Sequence, residues 1–294
     1  MIIIDYSGIV IAGVFVLQKE IKGKKIDDAI GLVRHIVLSS ILSHKKKHSA
    51  KFGEVVIACD GRNYWRKKYF PYYKWSRGAG RAESDLDWDM IFQCMDIIRQ
   101  ELIKFTPYKV IQLEGCEADD IIAILTKKAR IGVFGTTEPV MIISSDNDMS
   151  QLQKYDKVEQ YSPSTKKMIK KSIKEVKEYL NECTVKGQKK DGIPSIYMAD
   201  DWFTKPNGRA KAIYQNRLDE FLEKGIEACV NDEERRNYTR NQTLMNFDYI
   251  PADIEELILT EYAKPRETKF DRMKLWTYLA GKRCNNLIAS VEDF

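Results

Sequence analysis

Seven acidic residues, Asp5, Asp60, Glu117, Asp119, Asp120, Asp146 and Asp148, stand where apolar runs break off or helical patterns begin. "MIIID", "VVIACD" and "MIISSDND" are apolar stretches ending in Asp5, Asp60, and Asp146 with Asp148; in "CEADD", Glu117, Asp119 and Asp120 open a helical pattern after the apolar "VIQL". Each alone is explained as a turn former or a helix cap. Seven at equivalent ends are not, because carboxylates gathered without counter-charge repel one another and raise their own pKa values. A divalent cation removes the conflict. The three histidines, His35, His44 and His48, and six cysteines with no CxxC pair supply little for zinc, and His44 and His48 lie in the solvated-looking run "SHKKKHS". Oxygen-liganded Mg²⁺ or Mn²⁺ fits the donor set better. Two such ions about 4 Å apart would activate a water and stabilise the leaving oxygen in phosphodiester hydrolysis.

After Asp60 comes "GRNYWRKKYFPYYKWSRGAGR", which from Arg62 to Arg81 holds seven basic residues, seven aromatics and no acid. Burying it would strand its charges, and solvating it would expose its rings. Single-stranded nucleic acid accounts for both, with cations on phosphates and rings on unpaired bases. The acids that follow, Glu83, Asp85, Asp87 and Asp89, read as a solvated helix start.

These residues need a scaffold that brings strand ends to one rim. Apolar runs alternate with helical spacing through the first half: "MIII", then Ile26, Ile30, Val33, Val37 and Ile41, then "EVVIAC", then Ile91, Met95, Ile98 and Leu102, then "YKVIQL", "EADDIIAILTKKA" and "PVMIIS". That rhythm predicts an α/β fold with a mostly parallel central sheet flanked by helices, whose C-terminal strand ends share a rim. "KVEQYSPSTKKMIKK" adds two short strands about a Ser-Pro turn. From residue 172 the strand signal fades and helices such as "SIKEVKEYLNE", "NRLDEFLEKGIEACV" and "DRMKLWTYLAG" take over. The expected division is an α/β core over 1–171 and a helical region over 172–294 packed on it, since no low-complexity linker intervenes. "NNLIASVEDF" reads as a last helix.

At 294 residues with 48 basic and 43 acidic side chains, the formal charge of +5 is only mildly basic, so its distribution matters more than its total. No apolar run has membrane-spanning length, and the opening "MIIIDYSG" meets a charge at residue 5 without a basic leader. A cytoplasmic, reduced protein with no membrane partner is expected.

The pieces "FPYYKWSR", "CEADDIIA", "IISSDNDMSQL" with "QYSPSTKK", and "GQKKDGIPS", in this order and spacing, resemble the structure-specific 5′ nucleases: flap endonucleases, the 5′ nuclease domains of bacterial DNA polymerases, and phage 5′-3′ exonucleases, most strongly their phage ribonuclease H branch. The resemblance covers nearly the whole chain. It implies a PIN-like core with a helix-loop-helix DNA-binding element in the helical region. It also implies a monomeric enzyme removing RNA primers and DNA from the 5′ end and cutting 5′ flaps in phage DNA replication, with two Mg²⁺ ions that Mn²⁺ can replace. Substrates would be branched or nicked duplex DNA, 5′ flaps and RNA–DNA hybrids; a single-strand DNA-binding protein and a sliding clamp are further partners it suggests.

By the same resemblance Asp5, Asp60, Glu117 and Asp119 lie nearer the water-activating ion, Asp146 between the two, and Asp148 with Asp191 nearer the second. Asp119 and Asp146 join Lys74 and Arg77 as catalytic candidates. Tyr73 matches a ring that stacks near the terminal nucleotide, Lys74 a lysine that reaches the scissile phosphate, and Arg66 and Arg77 further phosphate contacts, on an arch or clamp over about residues 62–100. Lys186, Lys189 and Lys190 match lysines gripping the duplex.

One departure stands out. The family's Gly-Asp-x-x-Asp-Asn here reads "GQKKDGI", with Gln188 for the first Asp and Gly192 for Asn. An amide carbonyl can ligate but brings no charge, so weaker binding of the second ion is expected. The rival reading is a branched-DNA binding protein with weak or lost catalysis. An aspartate-nucleophile phosphatase would need a second Asp where "DYS" stands, and a dinucleotide enzyme a Gly-rich turn after its first strand.

Overall fold

The computed structural model describes residues 1–204, 209, 211–266 and 269–294. Its sheet runs in the order β3-β2-β1-β4-β5-β6, with β1 (Ile2–Asp5), β2 (Val55–Cys59), β3 (Lys109–Gln112), β4 (Val140–Ile143), β5 (Val158–Ser162) and β6 (Lys167–Ile169). All neighbours pair in parallel except β5 and β6, the antiparallel pair about the Ser-Pro turn. β1, β2 and β4 are short, apolar and buried on both faces, the pattern of interior parallel strands.

Alternate side chains of these strands feed two layers. Ile2, Ile4, Ile57 and Ile143 pack with α1 (Tyr6–Val16), α2 (Ile26–Phe52) and α3 (Trp88–Phe105); Ile3, Val56 and Ile142 pack with α4 (Ala118–Arg130). Asp87 caps α3, accepting from the Met90 amide at 2.9 Å, in keeping with a helix start there.

Helices follow the sheet: α5 (Ile173–Lys186), α6 (Gln215–Lys224), α7 (Asp232–Met245), α8 (Ala252–Ala263) and α9 (Arg272–Gly281). α5, α6 and α7 enclose a small core of their own around Val185, Ile196, Phe221 and Tyr238. α8 instead adds Ile254 and Ile258 to the α4 layer, while α9, Leu287, Val291 and Phe294 complete the α2 and α3 layer. "NNLIASVEDF" is thus core material.

The "SHKKKHS" run is not simply solvated. His44 and His48, four apart on α2, turn inward on the face of Ile41 and Phe52, leaving them 8% and 7% exposed against the ring of Tyr161. Burial first, then His48, pushes the His44 imidazole down to about 4, so it is neutral. The intervening Lys45 and Lys46 reach Asp293.

Candidate active site

Strand order reverses between β1 and β4, and the crevice at such a reversal is where α/β sheets bind ligands. Asp5, Asp60, Asp119 and Asp146 line one groove there of about 390 Å³, with Lys74 and Arg77 on its wall. Asp5 ends β1 and caps α1, accepting from the Gly8 amide at 2.9 Å and from Ser144 Oγ at 2.9 Å. Gly8 is needed for that approach, since a Cβ there would lie 2.7 Å from Asp5 Oδ2. Asp60 accepts from Ser7 Oγ at 2.7 Å and from the Ala118 amide at 3.0 Å.

None of Asp5, Asp60 and Asp119 forms an ion pair among the described residues. Burial and then the neighbouring Asp60 push the Asp5 carboxyl up to about 6, against the pull of Gly8 and Ser144. Asp119 is raised well above the usual carboxylate range by burial, with Asp146, Glu117 and Asp5 adding to it and Lys74 opposing. As the side chains stand, no three His, Cys, Asp or Glu among the described residues are placed to hold a metal ion. The donor chemistry still fits one: four oxygen-bearing acids at one rim, three of them without a paired cation.

Glu117 and Asp120 point elsewhere. Glu117, 1% exposed, caps α4 and accepts from Arg66 Nη1 at 2.9 Å, Tyr73 OH at 3.1 Å and Lys74 Nζ at 2.5 Å. Burial alone would raise its pKa, but Lys74 and Arg66 overcome that and hold it low. Asp120, 0% exposed, completes the capping box through the Glu117 amide at 3.0 Å and meets Trp65 Nε1 and Arg66. It lines neither groove of acids: the third residue of the helix reaches back to the cap, away from the rim. Arg66 is likewise turned inward. At 2% exposure it is bound to Glu117, Asp120 and the Leu244 carbonyl, and it lines the narrow cleft that Asp148 and Asp191 share.

The basic aromatic segment divides. Phe70 and Tyr73 turn inward against Cys183, Ile193, Leu244 and Met245. Tyr73 is therefore buried, not presented for stacking, at 4% exposure. Lys74 takes a left-handed backbone, φ 55°, held by its amide on the Asp191 carbonyl at 2.8 Å. The loop beneath needs glycine at 192: with φ 68°, a Cβ there would lie 2.6 Å from the Tyr72 carbonyl. Arg62, Tyr64, Arg77, Arg81 and Arg99 instead line an adjoining groove of about 690 Å³ that reaches Asp60.

Asp148 and Asp191 flank a narrow cleft with Asp119, Gln188 and Tyr73. Asp148 accepts from Tyr179 OH at 2.6 Å, Gln188 Nε2 at 3.0 Å and Lys190 Nζ at 3.0 Å. These donors, Lys190 foremost, outweigh burial and hold its carboxyl low. Gln188 turns its donor to the site, where the sequence suggested its carbonyl. Arg77 Nη2 lies 2.9 Å from Asp191 Oδ1. Of the three candidate duplex lysines, Lys186 is exposed and paired with Glu182 at 2.6 Å, Lys189 is exposed, and Lys190 bends back onto the acids. Sequence reasoning missed Ser7, Ser144 and Tyr179. The serines lie two residues from Asp5 and Asp146, a usable signal; Tyr179 carries none.

Comparison with known proteins agrees with this geometry. Residues 1–182 match the model of the 5′-3′ exonuclease N-terminal resolvase-like domain, and 172–294 match that of the T4 RNase H C-terminal region. The chain is 32% identical over 274 residues to the ribonuclease H of Enterobacteria phage T4, covering 90% of this chain and 87% of that one. A structure of the bacteriophage T5 flap endonuclease, a pseudo-enzyme-product complex with DNA and metal ions, superposes with a TM-score of 0.62 at 18% identity, covering 90% of this chain and 99% of the other. The T5 5′-exonuclease with bound divalent zinc gives a TM-score of 0.56 at 19% identity, covering 90% and 92%. With its acids gathered at the reversal of a parallel sheet and both halves matched, the chain belongs to the 5′-3′ exonuclease and flap endonuclease family and is an enzyme of its phage ribonuclease H branch.

Proposed function

We propose that this enzyme hydrolyses phosphodiester bonds from the 5′ end of RNA primers and DNA on duplex, and cuts 5′ flaps, during phage DNA replication in the host cytoplasm. The observation that carries the reading is the meeting of Asp5, Asp60, Asp119 and Asp146 in one groove, three of them without a paired cation, beside Lys74 and Arg77. Mg²⁺ is the natural ion for such donors, with Mn²⁺ able to replace it. Bound there, divalent ions would supply the activation of water and the stabilisation of the leaving oxygen.

The protein's own part is positioning and charge. Asp5 and Asp60 are held by Gly8, Ser144, Ser7 and Ala118, so their outward lone pairs keep fixed directions. Lys74 and Arg77 at the groove wall stabilise the charge that develops on the scissile phosphate. The arginine groove beside Asp60 suits the backbone of an entering 5′ strand, with Tyr64 and Phe92 for its bases. Lys186 and Lys189 suit the duplex beyond. The likeness to the T4 ribonuclease H supports RNA-primed substrates, and the DNA complex of the T5 enzyme supports branched DNA. The core over 1–171 would carry the chemistry and 172–294 the duplex contacts, in a monomer that a single-strand binding protein and a sliding clamp assist.

The test uses 5′-flap DNA and RNA-primed duplexes labelled at either end, with Mg²⁺ or Mn²⁺ against chelator, alongside Asp146→Asn. Short 5′ products that require both metal and Asp146 are expected. Tight binding without product in either metal would overturn the reading.

A further inference from the structure

The rim acids fall into two groups with different electrical company. Asp5 and Asp60 are held by neutral donors, and Asp119 has no hydrogen bond among the described residues. Asp148 is instead surrounded by donors that the chain carries, and Asp191 has Arg77, Lys74 and Lys190 within 4 Å. Lys190 Nζ stands 3.0 Å from Asp146 Oδ1, 3.0 Å from Asp148 Oδ2 and 3.9 Å from Asp191 Oδ2. Tyr179 and Gln188 take the other oxygen of Asp148, while Arg77 at 2.9 Å and Lys74 at 3.9 Å face Asp191 Oδ1. An ammonium at the meeting point of three carboxylates occupies the place a shared cation would take.

Its tether is fixed. Lys190 lies in the single turn Lys189–Asp191, closed by reciprocal backbone bonds between Gln188 and Ile193 at 2.8 and 3.0 Å. Only the side chain can leave, and with 49% of it exposed it has somewhere to go. Gln188 completes the arrangement. A carboxylate at 188 would add a further charge beside Asp148, whereas the amide donates to it and removes the demand for another cation.

Resting on the metal-dependent reading above, we infer that the Lys190 ammonium is a built-in counter-ion at the second ion position. The chain takes one divalent ion strongly, on Asp5, Asp60 and Asp119, and admits a second, at Asp146, Asp148 and Asp191, only by expelling Lys190. An ammonium about 3 Å from these oxygens and a magnesium ion about 2.1 Å from them cannot share the one space between the three carboxylates.

Counting Mn²⁺ on the full chain without DNA, by calorimetry and by the electron paramagnetic resonance of unbound Mn²⁺, tests this apart from activity. Wild type should bind one ion, with any second weaker by at least roughly tenfold, a gap of about 1.4 kcal/mol. Lys190→Met should bind two ions of similar affinity, and Asp148→Asn should keep the single strong ion. Two equal ions on wild type, or one ion on a folded Lys190→Met chain, would overturn the inference and leave the enzyme reading intact. Should Lys190→Met fail to fold, loss of the strong ion in Asp148→Asn overturns it and its retention supports it. No Mn²⁺ on wild type at all would sink the metal-dependent reading, and this inference with it.

Discussion

The ammonium of Lys74 stands 2.5 Å from Glu117 Oε1, with side chains 8% and 2% exposed. A phosphate entering the groove would compete with Glu117 for that cation, and Glu117 keeps Arg66 when Lys74 turns away. Lys74→Met should therefore lower kcat by about 10² to 10³ with little change in KM. Single-turnover cleavage of a flap substrate is the measurement; an unchanged rate constant would remove Lys74 from the chemistry.

Arg66 predicts the opposite profile. Removing it leaves Glu117 and Asp120 buried with one cation fewer, and a broken buried pair costs about 3 to 5 kcal/mol. Arg66→Met should show that loss in urea unfolding. Its folded fraction should bind DNA with the wild-type salt dependence, because the Arg66 guanidinium is already neutralised by Glu117 and Asp120.

Gln188→Asp exchanges the donor on Asp148 for a second carboxylate. In chelator the variant should be less stable by about 1 to 2 kcal/mol, the cost of a lost donor on a buried acid and added repulsion. With Mg²⁺ it should recover, and reach half-maximal rate at a lower Mg²⁺ concentration than wild type. A parallel pair of magnesium titrations decides this; identical midpoints would mean that residue 188 has no bearing on the ion.

Asp5 gives a pH dependence. Its carboxyl is pushed up to about 6, by burial first and Asp60 second, so the fold binds its proton more tightly than the unfolded chain does. Its contribution is best below the ordinary carboxylate value and is lost as pH rises from about 4 to about 6, levelling off above. In chelator, Asp5→Asn should lack that loss and melt above wild type at neutral pH, by something on the order of 2 kcal/mol, while its turnover collapses. Asparagine also caps helices well, so α1 should survive. Melting scans at pH 4.5 and 7.5 for both proteins would expose the difference.

The strands were plain in the sequence because short apolar runs buried on both faces leave no polar period to confuse them. Several helices were not. α1, "YSGIVIAGVFV", is apolar all round and rich in β-branched residues, so it reads as strand until Asp5 is seen to cap it. α7, "DEERRNYTRNQTLM", is polar and carries buried Asn237, Arg240 and Asn241, which hide its inner face. At the site, residue types told which acids gather, and direction told the rest. Glu117 and Asp120 look alike as letters, yet one caps α4 and the other reaches back to the cap's amide. Whether Gln188 offers oxygen or nitrogen depends on Tyr179 and Asp148, which long-range packing brings to it.

Asp5 and Ser144 are hydrogen-bonded across 139 positions of sequence, because β4 lies beside β1 in space while β2 and β3, on the far side of β1, precede it in the chain. Closing so long a loop carries a large entropic cost. The rim is consequently incomplete in any chain whose synthesis has not passed β4, and a nascent chain paired only through β1, β2 and β3 holds Asp5 and Asp60 with no Asp146 opposite. The last strand to reach β1 is thus the one that brings both Ser144 and Asp146 to the rim.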